Sequence, residues 1–145
     1  MLTKHKSLLK TISIFSDLTP DEMETACSLM RDISGEKDTV LFREGDLGRE
    51  MFIILEGRVI VSVQSPLGTE EIRLADMGEG SFFGEMSLIE DMPRSATCRL
   101  AKKSILLVLD HTGLDKLMER HSVIAYNIQY RMITTTTSRL HTTNA

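Results

Sequence analysis

Two short segments hold the residue types that bind a small anion. Phe82-Phe83-Gly84-Glu85-Met86-Ser87-Leu88 is followed, after a short gap, by Pro93-Arg94-Ser95-Ala96-Thr97. A glycine at 84 lets a ligand approach the main chain closely. Glu85 to Ile89 is predicted as a short helix whose first amides lack intrahelical partners and suit an anion. Glu85 is then either a favourable charge at a helix start or an acceptor for hydroxyl groups. Arg94 brings a planar guanidinium suited to bidentate phosphate binding, and Ser95 adds a hydroxyl beside it. One carboxylate, a group of amides and one arginine match a sugar hydroxyl and a single negative charge. That is the inventory a cyclic phosphodiester on ribose needs. A triphosphate would want more positive charge and a P-loop lysine, and neither is present.

The elements that must position these groups fall into three zones, which together are expected to form one domain. Residues 1–30 read as helical: Leu8, Leu9, Ile12 and Phe15 recur at helical spacing, and so do Met23, Ala26, Cys27 and Met30. Thr19 is the expected N-cap, Pro20 a first-turn residue, and Asp21 and Glu22 favourable charges at the helix start. Residues 31–110, which contain the 82–97 segment, read as short strands with turn signals between them. The strands are Thr39 to Phe42, Met51 to Leu55, Arg58 to Val63, Glu71 to Leu74, Ser95 to Leu100 and Ile105 to Leu109. This regular spacing predicts an α+β chain built on a β jelly roll, with helices at both ends and a short helix in the 82–97 segment. Residues 111–145 read as helical again. Leu114, Leu117 and Met118 mark a short amphipathic element, and Ile124, Ile128 and Met132 a longer one, whose stripe is expected as a dimer seam rather than core. Thr134 to Thr137, four β-branched residues, are expected to interrupt that helix.

The sequence FGEMSLIEDMPRSAT resembles the phosphate-binding cassette of the cyclic-nucleotide-binding domain family, of the catabolite activator protein and cAMP-dependent kinase regulatory subunit type. The family pattern is F-G-E-(L/M)-(A/S)-L, a short variable gap, then P-R-(S/A/T)-A-(T/S). Phe42-Arg43-Glu44-Gly45-Asp46 and Met51 to Gly57, with Val59, look like further segments of the same family, so the resemblance covers nearly the whole chain. It implies that Glu85 accepts from the ribose 2′-hydroxyl and that Arg94 pairs with the cyclic phosphate. Main-chain amides near Gly84, Met86 and Ser87, with Ser95 and Ala96, complete the cradle. Val63 and Leu74 are expected along the base or sugar side, and Thr135, among Thr134 to Thr136, against the base. The ligand implied is cAMP, with cGMP as the alternative, and the long C-terminal helix becomes a lid and a homodimer interface. No helix-turn-helix follows before Ala145, so any output domain is expected elsewhere.

Composition narrows the field. The chain has 145 residues, 41% hydrophobic and 26% charged, with a net charge of -4. That balance suits a globular domain and gives no general attraction to nucleic acid. No apolar run reaches the roughly 20 residues of a membrane span, and the N-terminus lacks a secretory signal, so a cytoplasmic chain is expected. Cys27 and Cys98 read as buried thiols of a reducing compartment. His5, His111, His121 and His141 have no metal spacing, and Ser87 and Ser95 no histidine nearby, so neither metal, cofactor nor enzyme is expected. Arg43 and Arg49 are read as surface residues and Lys102-Lys103 as a solvated turn. Two other readings remain open: a ligand-free dimerisation module in which Glu85 and Arg94 form a structural ion pair, and the sensor half of a transcription regulator.

Overall fold

The apolar runs of the middle zone pair as nested antiparallel strands. The computed structural model describes residues 2–144, with side chains for 5–135. Among the described residues there are eight strands: β1 Arg31–Gly35, β2 Val40–Phe42, β3 Glu50–Glu56, β4 Val59–Gln64, β5 Glu71–Met77, β6 Phe82–Phe83, β7 Thr97–Leu100 and β8 Ser104–Asp110. The pairs are β1 with β8, β2 with β7, β3 with β6, and β4 with β5. First meets last and the middle strands meet each other, as in a long hairpin rolled up. Cross-pairs β3/β8 and β4/β7 complete two four-stranded sheets, β1-β8-β3-β6 and β2-β7-β4-β5. This is the jelly roll expected from the strand spacing.

Its interior follows from the apolar residues on those strands. Phe52, Ile54, Val59, Phe83, Cys98, Leu100, Leu106 and Val108 form one buried cluster, with Ile33, Leu41, Phe42, Val61 and Met77 packed on it. Each fully buried side chain of this size contributes roughly 1.5–3 kcal/mol. A single short helix, α3 (Glu85–Ile89), lies within this unit and packs on β3, with Leu88 buried.

Residues 1–30 and 111–145 form a second compact unit, separate from 31–110. It contains α1 (Leu2–Leu9), a 3₁₀ turn at Ser13–Phe15, α2 (Pro20–Ser28), α4 (His111–Arg120) and α5 (Ser122–Asn144). Thr19 caps α2 as expected, and Glu22 does more than supply charge. The Glu22 amide donates to Thr19 Oγ1 at 3.2 Å and the Thr19 amide donates to Glu22 Oε1 at 2.9 Å, a reciprocal capping box.

Three sequence expectations for the helical unit are corrected. First, α5 runs unbroken through Thr134 to Thr137. Weak helix propensity is overridden by packing on α4 and on the 3₁₀ turn. Polar ties support it: Arg131 grips Asp17 at 2.7 and 3.0 Å, Thr135 Oγ1 lies 3.4 Å from Ser13 Oγ, and the Thr134 hydroxyl donates back to Arg131 O. Second, Ile124, Ile128 and Met132 are not an open seam. They are buried within the single chain, as is Ala125. The exposed apolar residues of α5 are instead Val123, Tyr126, Tyr130 and Ile133. Third, Met118 of α4 is exposed, whereas Leu114 and Leu117 are buried.

Candidate functional site

The candidate site lies wholly within the β unit, where β6 ends in Gly84 and α3 begins. Gly84 is the N-cap of α3 with φ of +82°, a left-handed conformation that non-glycine residues adopt at a cost. A Cβ there would stand 2.8 Å from Arg94 Nη1 and 3.1 Å from the Glu50 carbonyl oxygen. Glycine at 84 thus answers two demands at once, the turn and the close approach of the arginine.

Arg94 is only 4% exposed and Glu85 6%. Both line a cavity of about 190 Å³, together with Gly84, Met86, Ser87, Ser95 and Ala96. Arg94 Nη1 donates to the Gly84 carbonyl at 3.1 Å. Its guanidinium lies over the Phe42 ring, 4.1 Å from the centroid. Arg94 Nε has no hydrogen-bond partner among the described residues, a costly state for a buried donor. Burial pulls the Arg94 pKa below its usual value, and the carboxylates of Glu50 and Asp46 oppose that pull. An arginine stays charged under such a pull. The result is a desolvated cation that lines a cavity and has one N–H unpartnered among the described residues, an arrangement that favours an anion.

The segment before β3 fixes this arginine from behind. The Gly45 amide donates to the Arg94 carbonyl and the Arg94 amide donates to the Asp46 carbonyl, both at 2.8 Å. The loop is itself tied, since the Arg43 amide donates to Asp46 Oδ2 and the Glu44 amide donates to Thr97 Oγ1, both at 2.9 Å. Gly45, with φ of +88°, makes the turn. Gly48 leaves room for the head group: a Cβ there would lie 3.1 Å from Arg94 Nη2. Within the cassette, the Ser87 hydroxyl donates to Met92 O at 3.3 Å, closing the loop between the two halves.

The fold therefore brings Gly84, Glu85, Met86, Ser87, Arg94, Ser95 and Ala96 together around one cavity. It does not bring Val63 and Leu74 there. Val61, one pleat nearer the core on the same face of β4, lines the cavity instead. Leu74 is the extra residue of a bulge opposite Val61 and Ser62, and it is 59% exposed. Thr135 sits on α5 in the helical unit, beside Ser13, and Thr136 lies outside the residues whose side chains are described. Phe42, Val61, Phe83, Met92, Pro93 and Cys98 complete the walls, and none was singled out from sequence as a site residue. Apolar residues in strands, such as Phe42, Val61, Phe83 and Cys98, read as core from sequence, and nothing local tells cavity wall from core. Burial pushes the Cys98 thiol pKa up to about 12; nearby Arg94 works against this and Glu85 with it. Among the described residues there is no group of acidic, histidine or cysteine side chains that could hold a metal ion.

A family model described as the cyclic nucleotide-binding domain matches residues 33–121. The chain belongs to the cyclic nucleotide-binding domain family. The cassette resemblance is thereby borne out. A cyclic AMP receptor protein of Thermus thermophilus is 31% identical over 120 residues, covering 83% of this chain and 55% of that protein. A cyclic nucleotide-gated potassium channel of Rhizobium etli is 43% identical over 90 residues, covering 62% of this chain and 23% of the channel. The chain thus spans about half, or less, of these relatives. Among solved structures, a cyclic nucleotide-binding domain from Methylobacillus flagellatus superposes with a TM-score of 0.86 at 28% identity, covering 97% of this chain and 78% of that one.

Proposed function

We propose that the chain is a sensor that binds cAMP and couples it to movement of α5. The observation that carries this reading is the buried Arg94, its Nε unpartnered among the described residues, in a cavity that also holds Glu85. The phosphate of the ligand pairs with Arg94 and the cassette amides, and Glu85 accepts from the ribose 2′-hydroxyl. At about 190 Å³ the cavity is smaller than the roughly 300–1,000 Å³ of a complete small-molecule pocket. It suits the phosphate and sugar end, so the base is met by residues beyond these walls, Thr135 being the one proposed. Preference for cAMP over cGMP draws support from the name of the Thermus relative.

On this reading the chain is a binding module and not an enzyme, with no cofactor, no direct nucleic acid contact and a cytoplasmic setting. Among the described residues, no helix is long and apolar enough to cross a membrane. A homodimer through the C-terminal helix remains part of the proposal, with a changed face. Val123, Tyr126, Tyr130 and Ile133 are spaced three, four and three apart, the spacing of a coiled-coil seam, and all are exposed. Titration with cAMP and with cGMP, followed by thermal unfolding, tests the ligand. A nucleotide at about 100 times its Kd should stabilise by about 2.7 kcal/mol. An unchanged melting temperature at millimolar concentrations of both would refute the sensor reading and leave a ligand-free module.

A further inference from the structure

The three phenylalanines beside Arg94 form a continuous aromatic floor. Phe52 and Phe83 are cross-strand partners of β3 and β6 and stack with centroids 5.2 Å apart and planes within 12°. Phe42, the last residue of β2, joins them at 5.7 and 6.1 Å. The Arg94 guanidinium carbon lies 4.1 Å from the Phe42 centroid and 6.0 Å from that of Phe52. This is contact distance for a cation on a ring face, where the ring quadrupole attracts positive charge. Phe42 also stands opposite Cys98 in the β2/β7 register and leads directly into the loop that bonds the Arg94 main chain. Ring and guanidinium are thus held in register through the backbone as well as by contact.

We propose that Phe42 is a positioning residue for phosphate recognition, its ring being the seat that keeps the Arg94 guanidinium in the cavity before an anion arrives. This rests on the sensor reading above. A buried guanidinium with an unused N–H gains by swinging toward water or toward the nearby carboxylates Glu50 and Asp46. The aromatic ring opposes that swing without using up an N–H, since a ring contact takes none of the guanidinium's hydrogen bonds. An aliphatic side chain of similar volume would fill the space but supply no quadrupole. Neither would it shield the guanidinium face with a flat surface.

The test uses the full chain with Phe42→Leu, Phe42→Tyr and 3,4,5-trifluorophenylalanine at position 42. Fluorination keeps the ring shape and removes the negative face. Calorimetry should show cAMP bound on the order of tenfold more weakly by Phe42→Leu, as loss of a desolvated cation–ring contact implies. The trifluoro ring should give an intermediate loss at an unchanged melting temperature, and Phe42→Tyr should bind like wild type. A packing role alone would make affinity follow melting temperature and ignore fluorination, and that result would overturn the proposal. The seat is also read without nucleotide: the Arg94 Nε–H resonance should carry a ring-current shift that Phe42→Leu abolishes. If wild type binds no cAMP, the sensor reading falls, and absence of the ring-current shift overturns the seat separately.

Discussion

Replacing Arg94 separates a ligand-binding arginine from a structural one, because the two roles predict opposite balances of affinity and stability. In the ligand-free chain the guanidinium makes a charge-assisted bond to Gly84 O at 3.1 Å and a ring contact at 4.1 Å. The first contributes about 1.5–3 kcal/mol and the second about 0.5–2 kcal/mol. Against these stand the unpartnered Nε, which costs about 1–3 kcal/mol, and the desolvation that lowers the Arg94 pKa. The terms nearly cancel. Arg94→Met, which keeps the bulk and removes the charge, should therefore change ligand-free stability by no more than about 1–2 kcal/mol. Breaking a buried structural ion pair would instead destabilise by about 3–5 kcal/mol. In the complex the same substitution removes paired charge-assisted bonds to the phosphate, a loss of at least about 2 kcal/mol, or about thirtyfold in Kd. Calorimetric titration with cAMP and urea unfolding of the free protein measure the two quantities. Wild-type affinity in Arg94→Met would refute the phosphate assignment. A collapse in stability of the structural size would show that the arginine holds the fold together and that these terms do not cancel.

Other expectations follow from the same geometry. Gly84→Ala places a Cβ against Arg94 Nη1 and a rigid carbonyl at a positive φ, so stability should fall by about 1–3 kcal/mol in chemical denaturation. Affinity for cAMP should fall with it, because the guanidinium is the softer of the two obstacles. The buried thiols give an alkaline signature: pKa is pushed up to about 11 at Cys27 and about 12 at Cys98. Below pH 9 both thiols keep their proton folded or unfolded and their contribution is fully present. As pH rises the unfolded thiols ionise first, so stability is lost between pH 9 and about 12, and a Cys27→Ala/Cys98→Ala double variant should show a shallower loss than wild type in pH-dependent melts. Tyr126→Lys, on the exposed face of α5, should leave the monomer fold intact and shift sedimentation toward monomer, whereas Ile128→Lys should unfold the helical unit. Equal sedimentation of Tyr126→Lys and wild type as dimers would remove that face from the interface.

What could be read from sequence divides along a physical line. β3 and β8 hold continuous apolar runs buried along most of their length, and such runs announce themselves. β1 does not. Its residues are Arg-Asp-Ile-Ser-Gly, mostly exposed, and it is a strand because β8 supplies a partner in register from Arg31 to Gly35. β6 is only Phe82–Phe83, which sequence reasoning absorbed into the cassette. The bulge that turns Leu74 outward is a pairing event between β4 and β5, with no local signal in either strand. α5 shows propensity losing to packing, since the threonine run is helical although its intrinsic preference is weak. Glu85 and Arg94 were legible because a glycine, a carboxylate and an arginine stand close together in a segment that resembles a phosphate-binding cassette, and a proline punctuates it. Phe42 was not, since a phenylalanine in a strand means core until the cation above it is seen.

That asymmetry bears on how the site works. The residues proposed to hold the phosphate and the ribose all come from the 84–96 segment, yet the segment cannot hold its own arginine. The Arg94 main chain is bonded to Gly45 and Asp46, its side chain rests on Phe42, and its head fits where Gly48 has no Cβ. All four lie in one short stretch about fifty residues earlier, delivered by the β2/β7 pairing of the nested jelly roll. The two motifs are therefore one device: the first builds the slot and the second fills it. A chain could keep the cassette intact, lose the loop before β3, and lose phosphate recognition with it. The presence of glutamate and arginine is thus a weaker indicator of binding than the presence of both together with Phe42, Gly45, Asp46 and Gly48.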